Sequence, residues 1–235
     1  MKRVNFEVNE IEIRNAASVV LVRDRLKDPK VLVGQRGRRA VFMPSKFVFP
    51  GGAVDDCDFA AKIAGPICDV SRKRLLMETD ADDAEPFFSA AIREVWEETG
   101  IRLAVPAGSE FERRQSVGAW RKFMSGGMKP CAKGLYFFFR AITPPGRSRR
   151  FDARFFLGCA EELPLAGGLD EFGTETDELV NLRWASISET RMLDIPFISG
   201  LVLDAAEAAL SNGFPPKKIP FHFQTNGKRR IKFLN

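Results

Sequence analysis

The pattern of apolar and polar positions divides the chain into strands and helices. Short apolar runs predict six strands, at residues 17–22, 30–34, 46–49, 134–142, 151–159 and 179–184. Helical patterns cover residues 86–99, 188–193 and 196–212. Pro86 and Gly100 suit the start and the end of the first helix, and Asn226-Gly227 is typical of a two-residue hairpin turn. Because strands and helices are interleaved, the pattern predicts an α/β fold.

Three glutamates in the first of these helices suggest a metal site. Glu94, Glu97 and Glu98 stand at i, i+3 and i+4, so they share one helical face, which we expect to point away from the core. Carboxylates this close repel one another, whereas Mg²⁺ binds through carboxylates together with substrate phosphates. The cluster therefore predicts ligands for Mg²⁺ or Mn²⁺, with Arg93 bracing Glu97 from four residues earlier. The alternative is a solvated acidic helix face.

The full pattern around these glutamates resembles the signature of the Nudix hydrolase family. From Arg93 to Ile101 the chain reads R-E-apolar-x-E-E-x-G-apolar, and the signature reads G-x5-E-x7-R-E-U-x-E-E-x-G-U, with U apolar. Gly52 looks like the opening glycine and Glu85 like the first glutamate, but 32 residues separate them instead of five. The resemblance therefore implies an insertion at about 56–84, and such insertions cost little loop-closure entropy.

The family resemblance also implies a fold and a reaction. The fold is the Nudix α/β/α sandwich with a mixed β-sheet. The reaction is hydrolysis of the diphosphate linkage of a nucleoside diphosphate conjugate by a metal-activated water. The catalytic residues would be Arg93, Glu94, Glu97, Glu98 and Glu178. Of these, the three helical glutamates would bind the metal, and one of them or Glu178 would take the proton from the water.

Glu178 belongs to an acidic cluster before the last predicted strand, together with Glu171, Glu175 and Asp177. It fits a Glu-apolar-x-x-apolar-x-Trp pattern that is common in the family, which favours it as a metal ligand or a base. A solvated loop is the alternative interpretation of the cluster.

Two further stretches resemble the split-box, peroxisomal-type coenzyme A diphosphatases and their bacterial relatives. They are a Phe-Met-Pro to Phe-Pro-Gly-Gly run at 42–52 and an Arg-Phe-Asp-x-x-Phe-Phe run at 150–156. The chain departs from a related motif of that branch at Gly37, Val41 and Ser45. The resemblance implies substrate binding by Arg36, Arg38, Gly51, Gly52 and Arg150.

Coenzyme A or an acyl derivative is therefore the expected substrate, cut to 3′,5′-ADP and a 4′-phosphopantetheine product. Neutralising Arg36 is expected to erase much of the preference over dephospho-coenzyme A, because a charge-assisted contact to the 3′-phosphate would be lost. Three alternatives stay open. They are a pyrophosphatase for ADP-ribose or dinucleotides, an RNA-cap hydrolase, and a non-catalytic Nudix module that senses nucleotides.

Composition narrows the classes further. The chain has 235 residues, of which 45% are hydrophobic, and no stretch approaches the roughly 20 apolar residues of a membrane span. Residues 1–10 lack the continuous apolar region of a secretion signal. Four cysteines without a CxxC pair and a single histidine argue against a zinc site and against a Ser-His-Asp triad. Reduced thiols indicate a cytoplasmic protein.

The net charge of +5 is unevenly distributed over the single domain expected at 1–235. Residues 211–235 hold six basic residues and no acidic one, which leaves 30 basic and 31 acidic residues in the rest of the chain. We interpret this segment as a solvated basic C-terminal tail, with nucleic-acid binding as the alternative. The expected partner is a small nucleotide conjugate rather than nucleic acid or a membrane, and a homodimer is left open.

Overall fold

The structure, a computed structural model, describes residues 11–108, 118–173 and 178–235. Its strands are β1 (Ile13–Arg23), β2 (Lys30–Arg36), β3 (Phe47–Val48), β4 (Gly51–Ala53), β5 (Arg102–Pro106), β6 (Met128–Pro130), β7 (Leu135–Ile142), β8 (Arg150–Cys159), β9 (Leu165–Ala166), β10 (Leu179–Ser186), β11 (Ile219–Thr225) and β12 (Lys228–Leu234). Its helices are α1 (Asp56–Phe59), α2 (Asp69–Leu75), α3 (Glu85–Thr99), α4 (Ala119–Phe123), α5 (Ile187–Met192) and α6 (Phe197–Asn212).

The described residues form a nine-stranded mixed sheet and a separate three-stranded one. The large sheet has the order β10-β2-β1-β8-β7-β11-β12, with β3 on β2 and β4 on β1, and the small one has the order β6-β5-β9. The pairs β1–β8 and β7–β11 are parallel, and the remaining pairs are antiparallel. The strands β1 and β2 pair only at Val22–Val31 and Arg23–Lys30, so β3 and β4 fill the space where they diverge.

Helices cover both faces of the large sheet. Phe88 and Ile92 of α3 pack in one apolar cluster with Val19 of β1. Val202 of α6 packs in a second cluster with Val20, the next residue of the same strand. Successive strand residues point to opposite faces, so β1 contributes to both cores. The expected α/β/α sandwich with a mixed sheet is therefore confirmed.

Helix α3 begins and ends where the sequence predicts. Pro86 lies in its first turn, where a missing N–H costs nothing. Gly100 ends it with a φ of 78°, and the Gly100 N–H donates to Trp96 O. A Cβ atom at this position would also lie 2.3 Å from Gly173 O. Glycine is therefore required both by the positive φ and by this close contact.

All six predicted strands are present, including the two-residue β3, whereas β4, β5, β6 and β9 were not predicted. The strands β4, β6 and β9 have two or three residues each. A period-2 pattern needs about four residues to be recognisable, so these elements leave no trace in the sequence. The strand β4 matters most, because it holds Gly51 and Gly52 opposite Ser18 and Ala17 of β1.

The segment 211–235 is not the solvated tail that its charge suggested. It forms the hairpin β11–β12, with Asn226-Gly227 as the predicted two-residue turn between Thr225 and Lys228. The strand β11 extends the large sheet by pairing with β7. Ile219, Phe221 and Leu234 of the hairpin are buried in the main core, whereas the lysines and arginines of β12 are exposed. The cations lie on the exposed side chains of an edge hairpin, where positive charge discourages pairing with other chains.

The insertion packs against the α3 face of the sheet. Leu75 of α2 is fully buried, and the Ser71 hydroxyl accepts a hydrogen bond from Phe137 N at 3.0 Å. Buried Arg140 donates to Met77 O at 2.8 Å, which holds the segment after α2 against β7. Most apolar residues of the insertion thus pack in the main core, whereas Phe59 is exposed.

Some sequence expectations fall outside the described residues, namely those on residues 1–10 and on Glu175 and Asp177. None of the helices that the structure describes is long and apolar enough to cross a membrane. The four cysteines are described, and all of them are unpaired.

Candidate active site

The three glutamates of α3 lie together but not on one exposed face. The side chains of Glu94 and Glu97 are 13% and 19% exposed, whereas Glu98 is almost completely buried. The expectation that all three point away from the core is therefore wrong for Glu98. The reason is the Pro-Gly-Gly turn, which covers it and donates a hydrogen bond from Gly51 N to Glu98 Oε2 at 2.9 Å.

The two glycines of this turn let its backbone lie close to Glu94 and to β1. A Cβ atom on Gly52 would lie 2.4 Å from Glu94 Oε1. A Cβ atom on Gly51 would lie 2.5 Å from the backbone of Ala17 and Ser18. Both positions therefore require glycine because the chain passes between β1 and the acidic end of α3. The two glycines expected to bind substrate stand directly against two of the glutamates.

Arg93 organises the acidic cluster from within the protein. Its Nε and Nη2 atoms donate to Asp58 Oδ1 and Oδ2, each at 2.9 Å. Its Nη1 atom donates to Glu94 Oε1 at 2.8 Å and to Glu97 Oε2 at 2.9 Å. Burial lowers the pKa of the guanidinium, but the hydrogen bond to Asp58 and the charges of Glu94, Asp58 and Glu97 raise it by more. Arg93 thus stays charged and fixes two of the candidate ligands.

Asp58 is the functional residue that the sequence interpretation missed. Its side chain is fully buried against Arg93. Glu85, which was matched to the first glutamate of the signature, instead pairs with Arg72 at 2.9 Å and is 40% exposed. Asp58 is the sixth residue after Gly52, so the spacing Gly-x5-acidic is kept with Asp in place of Glu. That spacing was the available signal, and it means that the insertion begins after Asp58.

Glu94 and Glu98 are buried, and the positive charge around them is too small to offset the loss of water. Burial raises the pKa of Glu94 to about 7, although Arg93 opposes the shift. Burial and then the charge of Glu94 raise the pKa of Glu98 well above its usual value, although the Gly51 N–H opposes the shift. Glu98 Oε1 is buried without a hydrogen-bond partner. A buried carboxylate oxygen with no partner fits a hard divalent cation, which prefers such oxygen ligands.

In the described part of the chain, no three acidic side chains are already arranged to bind a metal ion together. In this site the Nη1 atom of Arg93 lies between Glu94 and Glu97 and donates a hydrogen bond to each of them. A cation would therefore share these carboxylates with the guanidinium. Glu98, which Arg93 does not contact in this way, offers its unpaired oxygen.

Glu178 and Arg36 approach the same cluster from the other side of the turn. Arg36 Nη2 lies 3.6 Å from Glu178 Oε2, and Glu178 is 61% exposed. Besides burial, the charge of Glu178 raises the pKa of both Glu94 and Glu98. Glu178, predicted from the sequence, is thus close enough for its charge to act on Glu94 and Glu98.

The other two predicted substrate residues lie further out. Arg38 is exposed on the loop that follows β2. Arg150 lies at the start of β8, where its Nε atom donates to Thr143 O at 3.1 Å. The contacts of Arg150 are thus with its own hairpin rather than with the glutamates.

The sequence is similar to known proteins over most of its length. A model of the NUDIX domain matches residues 12–201. Acyl-coenzyme A diphosphatase NUDT19 of Gallus gallus is 28% identical over 213 aligned residues, which cover 69% of this chain and 55% of that protein. Putative nudix hydrolase 7 of Caenorhabditis elegans is 30% identical over 160 residues, covering 64% and 46%. The chain spans about half the length of these curated relatives.

The fold has a counterpart among solved structures. A NUDIX hydrolase from Alicyclobacillus acidocaldarius superposes with a TM-score of 0.61 and is 27% identical. The superposition covers 88% of this chain and 99% of that protein. The likeness therefore extends across the whole of the compared domain.

Proposed function

Because this chain belongs to the Nudix hydrolase family, we propose that it hydrolyses the diphosphate linkage of a nucleoside diphosphate conjugate, with Mg²⁺ or Mn²⁺ bound at the acidic end of α3. The observation that carries the proposal is the buried Glu98, whose Oε1 atom has no partner while Glu94 lies beside it with a raised pKa. Such an arrangement costs stability unless a cation or a proton compensates it. The signature glycines hold it in place.

The metal would supply positive charge to the diphosphate and would lower the pKa of the attacking water. Glu94, Glu97 and Glu98 are the residues that would hold it. Arg93 orients the first two through its Nη1 atom, and the Gly51 N–H orients the third. Their positions are therefore set before substrate arrives, which is what electrostatic preorganisation requires.

Two residues at the exposed side of the cluster complete the proposed mechanism. Glu178 is solvent-accessible, so its carboxylate could exchange a proton with water, and we assign it the role of base. Arg36 stands beside it with a guanidinium that is suited to bidentate contact with phosphate oxygens. The position of Arg36 beside Glu178 supports a contact with the reacting diphosphate rather than with the 3′-phosphate.

A substrate screen tests the proposal. Coenzyme A, acyl-coenzyme A, ADP-ribose, dinucleotides and a capped RNA would each be incubated with Mg²⁺ or Mn²⁺, and both products would be identified. We expect cleavage between the two phosphates. Tight binding of a nucleotide without any turnover would favour the sensing module, the alternative from another class. The buried, intact set of glutamates favours catalysis.

Replacing Gly52 with Ala is expected to lower kcat/KM about 100-fold without unfolding the protein. The new Cβ would lie 2.4 Å from Glu94 Oε1, so that carboxylate must move. A displacement of about 1 Å near the chemistry costs about 100-fold in rate. Gly200→Ala is the matched control, because nothing lies within 4 Å of its Cβ position. Unchanged kinetics in the Gly52 variant would contradict the assignment of Glu94.

The finer part of the proposal is that the substrate is coenzyme A or an acyl-coenzyme A. It is supported by the similarity to acyl-coenzyme A diphosphatase NUDT19 and by the exposed Arg38 and Arg39 on the loop before the glycines. Coenzyme A carries a 3′-phosphate that ADP-ribose lacks, so a selective site needs cations outside the reaction centre.

Unpaired cysteines are consistent with a reducing compartment, and we propose the cytoplasm.

Replacing Arg38 with Gln is expected to reduce the preference for coenzyme A over dephospho-coenzyme A about ten- to a hundredfold. A charge-assisted contact is worth roughly 1.5–3 kcal/mol, which corresponds to that factor. Arg36→Gln should instead lower both rates alike, because Arg36 lies beside Glu178. Ratios of kcat/KM for the two substrates check this. If Arg36→Gln alone removes the preference, our placement of the two arginines is wrong.

A further inference from the structure

The two sequence stretches at 42–52 and 150–156 meet in the folded protein at an aromatic contact. Phe42 and Phe151 have ring centroids 5.5 Å apart and ring planes at 70°, an edge-to-face arrangement. Both residues are only partly buried. Such a pair leaves aromatic surface open beside it. The proposed hydrolysis uses neither ring.

The loop that carries Phe42 is held in an uncommon backbone conformation. Met43 has a φ of 51° and Ser45 a φ of 62°, in the left-handed region that side chains rarely adopt. Gln35 of β2 fixes this part of the loop, since its Nε2 atom donates to Ser45 O at 2.9 Å. Conformations of this kind persist only where the surrounding structure imposes them, and they cluster at ligand-binding sites.

The aromatic pair lies along β1 from the glycine turn. Phe151 stands beside Arg14 in the parallel pairing of β8 with β1. Gly51 stands beside Ser18, four residues further along β1. At about 3.3 Å per residue, the rings lie roughly 13 Å from the turn along the strand. Because β4 and β8 pair with opposite edges of β1, the separation also includes about two strand spacings, and an extended nucleotide conjugate with its diphosphate at the turn would bridge that span to place its base on the rings.

Cationic side chains flank the pair. Arg38 and Arg39 are exposed on the loop of Phe42, whereas Arg150, the strand residue before Phe151, points to the opposite face of β8. Aromatic rings among arginines are the combination on which proteins stack bases while holding the attached phosphates.

We propose that Phe42 and Phe151 form the subsite for the planar base of the substrate, which is an adenine ring if the substrate is a coenzyme A. This inference rests on the proposed function and extends it by naming the substrate group that the two stretches would bind. The base stacks on the exposed aromatic surface while the diphosphate lies at the glycine turn. The subsite therefore selects nucleotide conjugates over other diphosphates.

The test compares binding of the two halves of coenzyme A. Inhibition by 5′-AMP and by 4′-phosphopantetheine would be measured in Phe42→Leu and Phe151→Leu, and AMP binding would also be measured by calorimetry without substrate. We expect both variants to weaken AMP binding about tenfold and to leave phosphopantetheine unchanged. Phe42→Tyr should restore AMP binding, because it restores the ring. Phe197→Leu, at a ring that is 65% exposed on α6, is the control.

Several outcomes would overturn the subsite. They are equal weakening of both ligands, weakening of phosphopantetheine alone, no effect, or no AMP binding by the unaltered protein. Thermal unfolding identifies a variant that fails to fold, and the other leucine variant then decides. If no diphosphate is hydrolysed, the proposed function fails, whereas calorimetry still decides the subsite.

Discussion

Replacing Glu98 with Gln is expected to lower kcat/KM by more than about 100-fold at limiting Mg²⁺. Loss of a residue that merely supports a metal ligand costs about 10- to 100-fold, and loss of a charged ligand should cost more. The fold should survive, because the amide oxygen of Gln can still accept the hydrogen bond from Gly51 N. Glu97→Gln should lower kcat/KM in the same way, because it also removes a charged ligand. The fold should survive here too, since the Glu97 side chain is partly exposed. Steady-state rates against Mg²⁺ concentration provide the measurement.

Glu171→Gln is the matched control for both variants. Glu171 is exposed and belongs to the acidic segment before β10. It should retain normal turnover, because an exposed carboxylate that holds no ligand contributes little. Near-normal turnover in Glu97→Gln and Glu98→Gln at limiting Mg²⁺ would show that these glutamates are not metal ligands.

Replacing Arg93 with Met is expected to lower the free energy of unfolding by about 3–5 kcal/mol, because it leaves a buried charge without its partner. That charge is Asp58, whose side chain is fully buried and accepts two hydrogen bonds from Arg93. Activity should fall as well, since Glu94 and Glu97 lose the donor that orients them. Urea unfolding measures the first effect and kcat/KM the second.

A second variant separates stability from orientation. Adding Asp58→Leu to Arg93→Met removes the stranded charge, so it should restore part of the stability and none of the activity. Arg72→Met is the control, because its pair with Glu85 is exposed and should contribute at most about 1 kcal/mol. If Arg93→Met is as stable as the Arg72 variant, the buried pair does not hold the site together.

The parts of the structure that could be predicted are those that local sequence determines. Helix α3 shows this best, because Pro86, Gly100 and the apolar spacing between them act within a few residues. The same holds for the turn at Asn226-Gly227, which needs two residues with positive φ. The acidic cluster could be predicted because its members are three and four positions apart on that helix.

The parts that could not be predicted depend on residues that are distant in sequence. The Gly-x5-acidic spacing marks Asp58, but its contact with Arg93 spans 35 positions and cannot be predicted from that spacing. The burial of Glu98 follows from a turn 47 residues earlier. The hairpin turn was predicted, but segment 211–235 was interpreted as a tail because nothing local indicates that β11 pairs with the distant strand β7. In each case the missing information was which distant segment covers the residue.

The place at which the insertion enters the chain also bears on how relatives of this protein are found. Gly52 and Asp58 lie before it, Arg93 and the glutamates lie after it, and the fold closes the two halves on each other. A search pattern with one fixed interval misses such a chain, although its site is spatially continuous. A pattern written as two fragments, Gly-x5-acidic and Arg-Glu-x-x-Glu-Glu, with a free interval between them would detect it.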